Sequence, residues 1–162
     1  MTQTAGVAVR QAQPQDLAQL VDLRMQMFAE VGPGLGALPN PQDRAATERF
    51  FQQAFASGQS TTWVAEVEGH IVATGTLAEF QRPPYPGNLS GLEAYVLNMF
   101  TLGAYRRRGI SAQVLVPLMA HARAKGYGKV WLHATDDGRK LYERFGFAPN
   151  PREMEWHPQP GT

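Results

Sequence analysis

A single domain of mixed α/β or α+β architecture is the fold class that the sequence predicts, on three observations. The 162 residues match the usual length of one domain, and 43% of them are hydrophobic, which is enough for a core. Strand-like segments rich in β-branched residues alternate with segments whose apolar residues recur at helical spacing. The strand–helix–strand unit within residues 93–135 has the length that two parallel strands require.

The first elements are a short strand and two helices. Residues 6–11 are the strand candidate, and Pro14 is well placed near the start of a helix that runs to about Val31. The glycines and prolines of residues 32–41 cannot continue this helix, so a loop is expected there. A second helix ends near Gly58. Its apolar side carries three aromatic residues, Phe50, Phe51 and Phe55.

Strands then alternate with helices to the end of the chain. Two runs rich in β-branched residues, 63–67 and 71–77, flank Glu68-Gly69-His70 and predict a hairpin. The later elements are predicted as a strand at 93–102, a helix at 109–125, a strand at 130–135, a helix at 138–145 and a short strand within 147–157. Residues 158–162 are expected to form a frayed tail.

Composition and charge exclude several classes of partner and chemistry. The 15 Lys and Arg residues nearly balance the 14 Asp and Glu residues, so neither nucleic acid nor an acidic membrane is expected as a partner. The absence of cysteine excludes disulfides, thiolate metal sites and a cysteine nucleophile. The four histidines lack ligand-like spacing, so no metal site is expected. Without a membrane-spanning run or a signal peptide, a cytoplasmic protein is expected.

The segment Arg106-Arg107-Arg108-Gly109-Ile110-Ser111, between the long strand and the long helix, carries the strongest functional signal. A glycine lets the backbone approach a ligand closely, and the helix that follows directs its unpaired N–H groups and positive dipole end at the same place. The arginines add charge and bidentate donors. Together these features predict a phosphate or pyrophosphate site. The other interpretation is three solvated arginines before an ordinary helix.

Two motifs resemble those of the GCN5-related N-acetyltransferase (GNAT) family. Arg106-x-x-Gly109-x-Ser111 is similar to the family's Gln/Arg-x-x-Gly-x-Gly/Ala signature, with Ser111 where Gly or Ala is usual. Tyr142-Glu-Arg-Phe-Gly-Phe147 is similar to its Tyr-x-x-x-Gly-Phe ending. The match covers about residues 93–148. It implies one GNAT domain over residues 1–162, with a mostly antiparallel sheet that is splayed between strands 93–102 and 129–135 and has helices on both faces.

The resemblance also implies roles for individual residues. The amides of the signature loop would hold the pyrophosphate of acetyl-CoA, and the strand before the loop would pair with its pantetheine arm. Tyr142 would protonate the departing thiolate, and the backbone N–H of Met99 would stabilise the charge on the thioester oxygen. The implied cofactor-binding residues are Met99, Phe100, Thr101, Arg106, Arg107, Arg108, Gly109, Ile110, Ser111, Ala112 and Tyr142.

The acceptor side is predicted from fewer signals. Glu93 or Glu79 is the candidate base that takes the proton of the amine, although an isolated glutamate on a strand is more often simply solvated. Family members line the acceptor site with the first helix pair and its loop, which are within residues 14–58 here. Residues 28–41 are the expected mobile lid. The candidate substrate-binding residues are Phe28, Asn98 and His133, the last of which also fits a packing role.

The function predicted is acetyl-CoA-dependent transfer of an acetyl group to a primary amine, by direct attack in a ternary complex. The acceptor is expected to be a small-molecule or peptide amine, which the sequence does not identify. A catalytically idle acyl-CoA-binding sensor or regulator of the same fold is the alternative. An unrelated nucleotide-binding domain has less support, because the chain has no Walker or Gly-x-Gly-x-x-Gly motif after a strand. Similar proteins commonly form homodimers, but the sequence leaves the oligomeric state open.

Overall fold

The computed structural model describes residues 6–35 and 39–158, which form five strands and four α-helices. The strands are β1 (Val7–Gln11), β2 (Ser60–Val67), β3 (His70–Gln81), β4 (Leu92–Thr101) and β5 (Lys129–Leu132). The helices are α1 (Leu17–Leu35), α2 (Pro41–Ser57), α3 (Ile110–Lys125) and α4 (Asp136–Arg144). Two short 3₁₀ helices, Pro14–Asp16 and Gly103–Tyr105, precede α1 and follow β4.

All five strands lie in one sheet in the order β1-β2-β3-β4-β5. The first three pairs are antiparallel, whereas β4 and β5 are parallel. The parallel pairing runs only from Glu93 opposite Lys129 to Val96 opposite Leu132, so the second half of β4 continues without β5 beside it. The prediction of a mostly antiparallel sheet that is splayed at these two strands is confirmed.

Helices cover both faces of the sheet, as the resemblance implies. On one face, α3 buries Val114, Leu115 and Leu118 against Trp63 and Leu77. On the other face, α1 and α2 bury their apolar sides against the alternate residues of the strands. The buried residues of this second core are Ala12, Leu20, Val21, Leu23, Phe51, Val64, Ile71 and Phe100. Each fully buried large apolar side chain contributes about 1.5–3 kcal/mol relative to exposure, so the two cores fix the helices on the sheet.

The expected loop at residues 32–41 is wrong in its boundaries. Helix α1 continues to Leu35, past Gly32, Pro33 and Gly34. Helix α2 begins directly after Asn40, whose side-chain oxygen accepts from the N–H groups of Gln42 and Asp43 at 2.8 and 3.0 Å. The expected lid at 28–41 is therefore mostly helix, and its residues 36–38 lie outside the described residues.

The C-terminal elements also differ from the prediction. Strand β5 ends at Leu132, and Thr135 instead caps α4, with its hydroxyl accepting from the N–H of Gly138 at 3.2 Å. The expected strand within 147–157 is wrong, since the described residues after α4 form no strand. Prolines at 149 and 151 cannot donate to a ladder, and this tail contacts Lys129 of β5 and His133, which follows β5, through side chains. Of the expected frayed tail, residues 159–162 lie outside the described residues.

The hairpin prediction is confirmed with a shorter turn than expected. Glu68 and Gly69 both have positive φ, 50° and 80°, as a two-residue turn between right-twisted strands requires, and His70 already belongs to β3. Among the described residues, no helix is both long and apolar enough to cross a membrane.

Candidate active site

A bulge interrupts β4 just after the point where its pairing with β5 ends. Thr74 of β3 is opposite Phe100 and Thr76 is opposite Leu97, so Asn98 and Met99 together face the one residue between them, Gly75. Asn98 has a φ of 57°, in the left-handed region, and its carbonyl accepts from the Thr74 hydroxyl at 2.9 Å. The bulge turns the backbone of Asn98 and Met99 out of the regular ladder.

Glycine at position 75 makes room for this bulge. A Cβ atom there would lie 2.5 Å from the sulfur of Met99 and 3.0 Å from a methyl carbon of Val114. Both neighbours are packed in the α3 core, so a larger residue at 75 would force the Met99 side chain to shift.

The loop after β4 ends in a backbone turn that exposes the start of α3. Arg107 has a φ of 60° and Gly109, the residue before the helix, has a φ of 71°. No side chain of the described residues caps the first N–H groups of α3, which leaves them available to an anion. The space around the Cβ position of Gly109 is open, with no atom within 4 Å.

A depression of about 170 Å³ lies over this turn. Its lining residues are Thr101, Tyr105, Arg106, Arg107, Gly109, Ile110, Ser111, Ala112, Leu141 and Arg144. The structure thus brings most of the predicted cofactor-binding residues to one place. Leu141 and Arg144 of α4 also line the depression. The sequence does not predict these two residues, because their spacing does not indicate that α4 lies beside the start of α3.

Two hydrogen-bonding side chains hold the loop in place. The Nε atom of Arg106 donates to the carbonyl of Thr101 at 2.9 Å, and its terminal nitrogen forms an ion pair with Glu30 of α1. The hydroxyls of Thr101 and Ser111 lie 2.9 Å apart. Ser111 therefore has a local role, since its hydroxyl ties the first turn of α3 to the end of β4.

Tyr142 lies half-buried on α4, with its ring 5.9 Å from that of Phe147. Burial raises the pKa of its hydroxyl above the usual value for tyrosine, with a smaller contribution from Tyr95. The group therefore keeps its proton at neutral pH. It also lines a cavity of about 500 Å³ between β5, α4 and the C-terminal tail, which Trp131, His133 and Arg139 line as well.

A chain of hydrogen-bonding groups crosses from β4 to the tail beside this cavity. The Tyr95 hydroxyl lies 2.5 Å from Nδ1 of His133, and Nε2 of His133 contacts a carboxylate oxygen of Glu155. Because Nε2 lies against a carboxylate, it carries the proton, and Nδ1 is left to accept from Tyr95. Glu155 also contacts Nε2 of His157 at 2.9 Å, and this contact, with His133, lowers the pKa of Glu155.

The two glutamates expected as candidate bases are bound within the chain. Glu93 is 1% exposed and accepts from the Tyr85 hydroxyl at 2.6 Å and from Arg82 at 3.0 Å. Glu79 accepts from the Tyr127 hydroxyl at 2.7 Å. Burial raises the pKa of Tyr127, and the hydrogen bond to Glu79 raises it further.

The expected substrate-binding residues fall into two groups. Phe28 and Asn98 meet through Arg24, whose guanidinium lies 4.7 Å above the Phe28 ring and donates to the Asn98 side-chain oxygen at 3.3 Å. His133 instead contacts Tyr95. Sequence reasoning missed Arg24 and Tyr95. The position of Arg24, four residues after Leu20 and four before Phe28 on the apolar side of α1, was the available signal.

Comparison with known proteins agrees with the motifs. The model of the acetyltransferase (GNAT) family matches residues 19–147. A structure of a predicted acetyltransferase from Clostridium acetobutylicum, solved with acetyl-CoA, is 28% identical, covers 93% of this chain and 96% of its own, and has a TM-score of 0.84. A GCN5-related N-acetyltransferase from Ralstonia eutropha is 27% identical, covers 94% of this chain and 99% of its own, and has a TM-score of 0.77.

More distant structures share the fold. Glucosamine-6-phosphate N-acetyltransferase from Arabidopsis thaliana is 18% identical, covers 93% of this chain and 97% of its own, and has a TM-score of 0.72. No curated protein matches the chain.

Proposed function

This chain belongs to the acetyltransferase (GNAT) family, and on that premise we propose that it moves the acetyl group of acetyl-CoA to a primary amine. The amine attacks the thioester directly while both substrates are bound. No cysteine is present to carry the acetyl group between them. In this proposal residues 93–148 hold the donor, and residues 14–58 contribute to the acceptor side.

The backbone at the start of α3 is the observation that carries the proposal. The uncapped N–H groups and the left-handed Gly109 lie in the depression, with open space in front of the glycine. Exposed Arg107 and Arg144 add positive charge at its rim. This donor set fits the pyrophosphate of acetyl-CoA, and the backbone of Met99, Phe100 and Thr101, beyond the end of β5, fits its pantetheine arm.

Acetyl-CoA supplies an activated acetyl thioester when it is bound. The backbone N–H of Met99 is our candidate donor to the thioester oxygen, on which negative charge develops during attack. The bulge supports this role, because it takes Asn98 and Met99 out of their pairing with β3. A donor that the fold already holds in place needs no reorganisation when the charge appears.

Tyr142 is our candidate for the acid. Its hydroxyl has a raised pKa because of burial, so it holds a proton across the neutral range and can give that proton to the leaving sulfur. Its position beside Tyr95 and His133, near the splay of the sheet, supports this role over simple packing.

For the base we propose His133 in place of Glu93 or Glu79, which are already bound within the chain. The amine gives its proton to the Tyr95 oxygen while the Tyr95 proton moves to Nδ1 of His133. Glu155 stabilises the imidazolium that results.

An acetyl-transfer assay tests the proposed function. Purified protein is incubated with acetyl-CoA and a panel of primary amines, and released CoA is measured with a thiol reagent. The chain has no cysteine, so the protein itself adds no thiol signal. We expect CoA release that depends on an amine, with the acetylated amine identified by mass spectrometry. Tight acetyl-CoA binding without release for any amine would instead favour an acyl-CoA sensor.

A further inference from the structure

Arg24 is a half-buried cation without a carboxylate partner. Its side chain lies between α1 and β4, and burial lowers the pKa of its guanidinium. Within residues 6–35 and 39–158, no Asp or Glu lies within ion-pairing distance of it. A desolvated charge of this kind is unfavourable until a counter-charge arrives.

Arg10 shows how the same protein treats a half-buried arginine that is purely structural. Its guanidinium pairs with Asp16 at 2.7 Å and with Glu66 at 2.8 Å, and these carboxylates raise its pKa. Arg24 is the more buried of the two arginines, yet among the described residues it has no carboxylate beside it, whereas the more exposed Arg10 has two. Arg24 therefore does not form a structural ion pair as Arg10 does, and its charge is available to bind an anionic ligand.

The donors of Arg24 are mostly unused by the described residues. One terminal nitrogen donates to the amide oxygen of Asn98 at 3.3 Å, which is long for a hydrogen bond to a charged donor. The Phe28 ring covers one face of the guanidinium, 4.7 Å from its central carbon. The edge of the guanidinium, where the N–H groups lie, is not covered by this ring. A planar edge with parallel N–H groups matches the paired oxygens of a carboxylate or a phosphate.

The position of Arg24 connects this edge to the reaction centre. Asn98, which it contacts, is the bulge residue directly before Met99, the candidate donor to the thioester oxygen. The phosphate cradle has its own arginine on this side, Arg106, and Glu30 already neutralises it. The guanidinium of Arg24 thus contacts the residue before Met99 and does not line the depression over the start of α3.

We propose that Arg24 binds an anionic group of the acceptor, so that the preferred acceptor is a primary amine that also carries a carboxylate or a phosphate. Phe28 and Asn98 position the guanidinium for this contact. The inference rests on the proposed acetyl transfer and names the class of acceptor for it. Carboxylate and phosphate share the same recognition chemistry, and the experiment separates them.

Matched pairs of amines test this inference. γ-Aminobutyrate is compared with n-butylamine, and O-phosphoethanolamine with ethanolamine, at saturating acetyl-CoA. We expect kcat/KM for the anionic member of at least one pair to exceed that of its neutral member by about tenfold or more. Arg24→Gln should lower kcat/KM for the anionic member of the pair more than for its neutral member, so that the difference between them is lost. Arg24→Lys, which keeps the charge, restores part of it.

Arg44→Gln is the matched control. Arg44 is an exposed arginine of α2, and it forms an ion pair with Asp22 of α1. The substitution should leave the preference intact. Equal kcat/KM within both pairs in the natural protein, or an equal loss for both members in Arg24→Gln, overturns the inference while acetyl transfer stands.

A binding measurement separates this inference from the proposed function. If none of the four amines is acetylated, each is titrated calorimetrically into the CoA-loaded protein. Preferential binding of an anionic member that disappears in Arg24→Gln supports the anion site even though transfer has failed. Binding without that preference, or no binding of either anionic amine, overturns it.

Discussion

In the function proposed above, backbone groups from one continuous stretch, residues 98–112, form most of the donor side, whereas side chains from distant segments form the acceptor side. The donor side offers the bulge of β4, the left-handed Gly109 and the first N–H groups of α3. The proposed acceptor side comprises five side chains from α1, β4, the segment after β5 and the tail: Arg24, Phe28, Tyr95, His133 and Glu155.

This difference has a consequence for specificity. Backbone amides keep their positions when side chains change, so the donor side tolerates most substitutions other than those at a glycine with positive φ. The acceptor side depends on individual charges and rings, and each can change without disturbing the sheet. A fold built in this way can keep one donor while it changes acceptors.

The largest effect is expected on the donor side from Gly109→Glu. A side chain there must adopt a φ of 71° and places a negative charge in the phosphate cradle. We expect the affinity for acetyl-CoA to fall by about 100-fold or more, measured by calorimetry. Gly126→Glu is the matched control, because Gly126 has a φ of 72° with open space at the other end of the same helix. Equal affinities in both variants would contradict the cradle assignment.

Tyr142→Phe should separate chemistry from donor binding. Without the hydroxyl, the leaving sulfur must take its proton from water, so kcat should fall by about 100-fold while acetyl-CoA affinity stays within about twofold. Tyr127→Phe removes a hydroxyl that is bonded to Glu79 and serves as the control, with kcat unchanged. Full turnover of Tyr142→Phe at saturating substrates would assign the acid to another group.

His133→Gln should weaken the acceptor half of the reaction alone. Loss of the relay leaves the amine to lose its proton to water, so kcat/KM should fall by about tenfold at neutral pH and recover as pH rises toward the pKa of the amine. The charged and titratable groups around His133 are Tyr95, Glu153, Glu155 and His157. His157→Gln, which keeps the His133–Glu155 contact, should behave like the natural protein. A parallel loss at every pH in His133→Gln would indicate a structural role.

The smallest effect concerns pH. Burial raises the pKa of Tyr142, so its hydroxyl is protonated below the usual tyrosine range and loses its proton only above it. We therefore expect kcat to show no alkaline fall below about pH 10, in a pH profile at saturating substrates. A fall centred near neutral pH that disappears in Tyr142→Phe would show that the hydroxyl is more acidic than its surroundings imply.

The same division explains what the sequence could predict. The proposed donor side follows from one strand, a glycine and a helix start in direct succession, so the spacing around Gly109 was enough to predict it. Arg144 is a donor-side residue that was missed, because only the packing of α4 brings it to the depression. Contacts that depend on packing leave no fixed spacing in the chain.

The acceptor side could not be predicted in this way. Tyr95 meets His133 through the parallel pairing of β4 and β5, and Glu155 joins them only because the tail does not enter the sheet. A short strand is predicted in that tail, but the prolines at 149 and 151 cannot donate to a ladder. Glu93 illustrates the reverse case, since a candidate base on a strand proved to be bound by Arg82.

Calorimetric titration of acetyl-CoA and of CoA into the purified protein, with ATP and NAD as controls, tests the central claim most directly. We expect both CoA species to bind with similar affinity, ATP and NAD to give no comparable heat at the same concentration, and Gly109→Glu to bind none of the four. Absence of binding at about millimolar acetyl-CoA, or equal binding of ATP, would contradict the account. The start of α3 would then be a general anion site or an ordinary helix end.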